Sequence, residues 1–115
     1  MKTSSSSIST HKPDWTFLTN HAHVLICVHR DPTIRTRDIA QAVGITERAT
    51  QGIIADLVAE GYLTRERDGR RNVYTVMKAA RLRHPVEAQH TVGDLLWMLD
   101  RPSVSPKIGT RGRIR

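Results

Sequence analysis

The sequence predicts a mainly α-helical domain that carries one small β-hairpin, in the order α-β-α-α-β-β-α. Three observations predict it. Apolar residues recur at helical spacing through residues 19–60, in stretches separated by Pro32 and Gly44 and closed by Gly61. After Gly61 the period changes to two, and "YLTRER" and "RRNVYTV" flank Asp68-Gly69, a strong two-residue hairpin signal. Helical spacing then returns in "VGDLLWMLD" near the end.

Each element has its own local reason. In "TNHAHVLICVHRDP", Thr19 is placed to cap a helix whose apolar face runs through Ala22, Leu25, Ile26 and His29. Pro32 stops it, because proline lacks an amide donor and restricts the residue before it. "TIR" at 33–35 is long enough only for a small strand. "TRDIAQAVG" reads as a two-turn helix capped by Thr36, with Asp38 in the first turn and Gly44 closing it. Thr46 caps the next helix, with Ala49, Ile53 and Leu57 facing inward, and Gly61 stops it. Finally "HPVEAQHTVGDLLWMLD" reads as helical throughout, with Pro85 in the first turn and Val92, Leu95, Leu96 and Leu99 as an apolar stripe.

The 115 residues suffice for one domain with a modest core, and 38% hydrophobic and 25% charged residues is an ordinary globular composition. No apolar run is long enough to span a membrane, and the Ser-rich start lacks the apolar core of a secretory signal. The single Cys27 fits a reducing compartment, so the expected location is the cytoplasm, at the nucleoid. The formal charge of +7 is unevenly placed. Residues 1–13 and 101–115 hold basic residues and no acid, and both read as flexible tails. Residues 14–100 are balanced, with 11 basic and 11 acidic side chains. Within that body, 65–83 carry seven basic residues against Glu66 and Asp68, whereas the charges of 84–100 are all acidic. The expected division is therefore tail 1–13, folded domain 14–83, C-terminal helical segment 84–100 and basic tail 101–115.

Two short helices joined by "VGIT" form a helix-turn-helix, and the basic hairpin that follows forms a wing. Through "RTRDIAQAVGIT", "LVAEGYLTR" and "DGRRNVYTV", residues 19–76 resemble the winged helix-turn-helix of MarR- and ArsR-like transcription regulators. The resemblance implies binding to double-stranded DNA, with the second helix of the motif in the major groove. Its N-terminal residues would then meet base edges: Thr46, Glu47, Arg48, Thr50 and Gln51. Arg can fork onto guanine, Gln onto adenine, and Glu can accept from cytosine. Two residues depart from the family pattern. Gly52 stands where relatives usually carry a longer side chain, and Thr50 where they tend to be apolar. On the wing, Arg65, Arg67, Arg70 and Arg71 surround the turn, suited to the DNA backbone or a minor groove, with Asn72 as a further backbone contact.

"VGDLLWMLD" is apolar almost all round, which points to a second buried surface besides the monomer's core. Val92, Leu95, Leu96, Trp97, Met98 and Leu99 are the expected dimerisation residues of a homodimer. A chain this short leaves little room for a ligand pocket, and no particular effector is implied. His21 with His23, and His84, Glu87 and His90, invite a metal reading, but positions six apart diverge on a helix and no cysteine pair assists them, so no metal is expected. Cys27, between Ile26 and Val28, reads as an inert buried thiol. No Gly-rich phosphate loop or nucleophile elbow is present, so neither an enzyme nor a cofactor is expected. A homodimeric, sequence-specific DNA-binding regulator is the leading reading. The alternatives are a winged-helix protein-interaction module without an operator and a tail-driven, non-specific nucleic-acid-binding protein.

Overall fold

The computed structural model describes residues 14–102; the two expected tails, apart from Arg101 and Pro102, lie outside the described residues. Three helices come first, α1 (Asn20–Arg30), α2 (Thr36–Val43) and α3 (Glu47–Ala59). A hairpin of β1 (Leu63–Asp68) and β2 (Arg71–Val76) follows, and then α4 (Val92–Asp100). All four helices contribute to one core, in which Val24, Leu25, Val28, Ile39, Ile54, Leu57, Leu63, Tyr74, Val92 and Leu96 are buried. The fold class is therefore the expected one: mainly α with a hairpin wing.

The caps explain most of the boundaries. Thr19 Oγ1 accepts from the Ala22 amide and Thr46 Oγ1 from the Ala49 amide, at 3.2 and 3.0 Å. Gly44 closes α2 with φ +88° and Gly61 follows α3 with φ +84°, a region that glycine enters without steric penalty. The buried stripe of α1 is rotated from the expected one and runs through Val24, Leu25 and Val28. Ala22, Ile26 and His29 flank it, half-buried.

Four local expectations are corrected. Residues 33–35 form no strand. Asp31 Oδ1 accepts from both the amide and the hydroxyl of Thr33, each at 3.2 Å, and so curls the chain into a turn. One backbone bond joins this loop to the hairpin: the Tyr74 amide donates to Pro32 O at 2.9 Å. Thr36 does not cap α2; Arg35 holds that position and its side chain makes no capping bond. The hairpin pairs Asp68 with Arg71, so Gly69 and Arg70 are its central residues, one position later than Asp68-Gly69. Gly69 takes φ +66° there.

The fourth correction is the start of α4. Residues 84–90 form successive turns, with the Glu87 amide donating to His84 O and the His90 amide to Glu87 O, both at 2.9 Å. They have no apolar face to bury, since Val86 is 83% exposed. The helix starts instead at a reciprocal capping box: Asp94 N donates to Thr91 Oγ1 at 3.1 Å and Thr91 N to Asp94 Oδ2 at 3.0 Å. The bond from the Thr91 amide, followed by that from His90, holds the Asp94 carboxyl below the usual carboxylate range. α4 is also suspended from the chain leaving β2, by Val92 N to Ala80 O at 2.8 Å and Gly93 N to Lys78 O at 2.9 Å.

This approach favours a glycine. A Cβ on Gly93 would lie 3.0 Å from Lys78 O and 3.3 Å from Lys78 Cβ. Gly93→Ala is expected to destabilise the fold by about 1–3 kcal/mol, read from urea unfolding. The stabilisation from the Asp94 side of the capping box is expected to be present above the ordinary carboxylate range. It is lost as pH falls through the depressed folded value, which a carboxyl-carbon NMR titration of Asp94 would follow.

Candidate nucleic-acid interface

The rotation of α3 about its own axis decides which residues face outward. Its buried stripe is Thr50, Ile54 and Leu57, with Ile53 and Val58 half-buried beside it. Thr50 is 0% exposed, and its hydroxyl donates to Thr46 O at 2.9 Å, which satisfies its polar atom within the helix. The expectation that Thr50 contacts DNA is corrected: its side chain belongs to the core. The inward placement of Ala49 is corrected too, since Ala49 is exposed. Thr46, Glu47, Arg48 and Gln51 are all exposed, as expected. Thr46 commits its oxygen to the cap, whereas the side chains of Glu47, Arg48 and Gln51 make no hydrogen bond or ion pair among the described residues. Gly52 lies opposite the buried stripe, exposed and in ordinary helical conformation. A glycine there costs the helix about 0.8–1 kcal/mol relative to alanine.

The hairpin sets two of its arginines apart from its acids, while Arg71, paired with Asp68, lies on the acidic face. Cross-strand partners share a face, and successive residues alternate between the two. Arg65 opposite Tyr74 and Arg67 opposite Asn72 therefore lie on one face, and Glu66 and Asp68 on the other. Arg70 occupies the turn. Of the four arginines, Arg71 alone has a bond to another part of the fold: its Nη1 donates to Thr33 O at 3.2 Å. That bond ties the hairpin to the loop before α2. Between them lies a cleft of about 500 Å³, lined by Arg35, Thr36, Arg70, Arg71, Asn72 and Tyr74 among others. Arg35 was missed in the sequence because Thr36 is the better capping residue by type. Only the fold brings Arg35 beside Arg70 and Arg71.

Away from this face, Trp97 is 64% exposed and Met98 52% exposed, while Val92 and Leu96 are buried and Leu95 and Leu99 half-buried. The expected dimerisation set therefore divides into core residues and two outward ones. The Arg101 guanidinium stacks 4.7 Å from the Trp97 ring centre. Two histidines meet carboxylates across the fold, His21 with Asp56 at 2.8 Å and His29 with Asp100 at 2.7 Å, and His90 meets Asp94, four residues on, at 3.4 Å. Among the described residues, no three His, Cys, Asp or Glu side chains are grouped to hold a metal. Burial pushes the Cys27 thiol up, with Arg30 opposing, so the reactive thiolate is disfavoured. Contrary to the expectation of little room, Leu25, Leu57, Tyr62, Leu82, Val92 and Leu95 line an open groove of about 640 Å³.

Two packed helices joined by a tight turn, with a basic hairpin beside them, define a winged helix-turn-helix domain. Residues 16–71, just under half of the 115 residues, match the MarR family, so this span is a MarR-like winged helix. Among solved structures, the chain is similar to the PcaV transcriptional regulator from Streptomyces coelicolor in complex with its natural ligand. The identity is 22% and the TM-score 0.46, over 52% of this chain and 45% of that one. The matched part thus spans less than half the length of that solved structure. No curated protein matches the chain. Among the described residues, no helix is long and apolar enough to cross a membrane.

The cap that aims α3 is directly testable. Thr46→Ala is expected to lower stability by about 1 kcal/mol in chemical denaturation, because it leaves the Ala49 amide without its partner.

Proposed function

We propose that the chain is a sequence-specific, double-stranded DNA-binding regulator of transcription that acts as a homodimer. One observation carries this reading: Arg48 and Gln51, exposed and without side-chain partners, stand at the outward start of a capped helix beside a hairpin on which Arg65 and Arg67 share a face and Arg70 and Arg71 flank the tip. A solvated helix gains nothing from such an arrangement, whereas a major groove offers acceptor pairs to the one and a donor–acceptor pair to the other. Glu47 adds a carboxylate that accepts from cytosine. Arg65, Arg67 and Arg70 hold phosphates or enter a minor groove, and Arg71, Asn72 and Arg35 bound the cleft through which the backbone passes. Trp97 and Met98 meet a second copy. Two-fold pairing sets two recognition helices about one DNA turn apart, roughly 34 Å, and favours a palindromic site.

Three measurements test this reading. Arg48→Ala or Gln51→Ala is expected to relax preference at particular base pairs, by about 1–3 kcal/mol each, in binding to duplexes selected from a random library. Arg67→Ala with Arg70→Ala is expected to weaken binding to every sequence and to flatten the dependence of affinity on salt. Equal losses on all duplexes from the α3 variants would remove the base-reading role. Sedimentation equilibrium is expected to show a wild-type dimer and a monomer when Trp97→Ala is combined with Met98→Ala. A wild-type monomer at DNA-saturating concentrations overturns the dimer.

A further inference from the structure

Gly52 is a residue that neither backbone nor packing explains. Its φ lies outside the left-handed region that favours glycine, and a Cβ built on it would meet nothing within 4 Å beyond its own helical backbone and chain neighbours. Any L-residue fits there, and nearly all would favour the helix more. The position is nevertheless conspicuous. Gly52 is two residues from both Thr50 and Ile54, so about 200° around the helix from each, at the centre of the outward face. Arg48 lies one turn before it on the same face, and Gln51 is its neighbour. The point of α3 that would go deepest into a groove is the point from which the side chain is missing.

We propose that Gly52 is a specificity-determining residue whose bare Cα seats the 5-methyl group of one thymine in the major groove. The inference rests on the reading of α3 as the groove-entering helix. Mid-helix amides and carbonyls are bonded within the helix, so Gly52 offers no free donor or acceptor; with the exposed Ala55 one turn on, it presents an apolar notch. In the major groove the apolar feature that distinguishes one base is the thymine methyl. A side chain at residue 52 would fill the space that the methyl takes. Arg48 and Gln51 then read flanking pairs by hydrogen bonds, and Gly52 reads the pair beside them by shape.

The test uses the full chain and duplexes that the wild type selects from a random library. The selected site is expected to hold an invariant T·A pair next to those whose identity relaxes in Arg48→Ala and Gln51→Ala. Replacing that thymine by deoxyuridine is expected to weaken wild-type binding about fourfold, the effect of one buried methyl. Gly52→Ala is expected to melt at a higher temperature than the wild type, yet to bind the thymine duplex about tenfold or more weakly. The same variant is expected to regain affinity on the deoxyuridine duplex, because removing one methyl makes room for the other. Unchanged binding by Gly52→Ala, no effect of deoxyuridine in the wild type, or a lower melting temperature of the variant would each overturn the role of Gly52 and leave the DNA-binding reading standing. If no duplex is enriched at all, that reading falls and the inference with it.

Discussion

The orientation of α3 about its axis depends on a hydrogen bond that never leaves the helix. Thr50 donates its hydroxyl to Thr46 O, and with that polar atom satisfied the rest of the side chain packs in the core. Ile54 and Leu57 continue the same stripe, so the first turn is anchored along with the rest. Thr46 serves twice, capping the helix with its side chain and accepting from Thr50 with its carbonyl. Arg48, Gln51 and Gly52 face outward as a geometric result of this anchoring. A different residue at 50 with an unsatisfied polar group would favour turning the stripe and, with it, the whole outward face.

Signals confined to a few neighbouring residues were legible in the sequence. Thr19, Thr46, Gly44 and Gly61 mark helix ends because their capping chemistry is local, and the change of period after Gly61 marks the hairpin. Competition between neighbours was not legible. Thr36 has the right chemistry for a cap, yet the chain turns one residue earlier around Asp31 and Thr33. Pro85 has the right chemistry for a first helical turn, yet Thr91, six residues later, forms a reciprocal cap with Asp94. Local preference cannot rank two plausible starts; packing does, and Val92 and Leu96 have a core to enter where Val86 has none.

The outward-facing residues divide along the same line. Exposure of Glu47, Arg48 and Gln51 followed from position and type. Burial of Thr50 did not, because a threonine is polar by type and becomes core-like only when its hydroxyl bonds within its own helix. On the hairpin, counting charges along 65–71 hid what alternation of faces separates: Arg65 and Arg67 on one side, Glu66 and Asp68 on the other. The link from Arg71 to Thr33 spans 38 positions, and no local pattern announces it. Arg35 joins this group for the same reason, since only the fold makes it a neighbour of the hairpin.

That link from Arg71 also changes how the hairpin meets a partner. A long side chain that is held only after contact loses rotamer freedom at that moment, about 0.5–1.5 kcal/mol each. In the proposed role, Arg65, Arg67 and Arg70 would be in that condition. Arg71 is already held by the carbonyl of Thr33, so its ordering is completed during folding and the cleft beside it keeps its shape before anything enters. In the proposed DNA-binding role, the hairpin would therefore join one guanidinium already held in place to three without a bond to the rest of the fold.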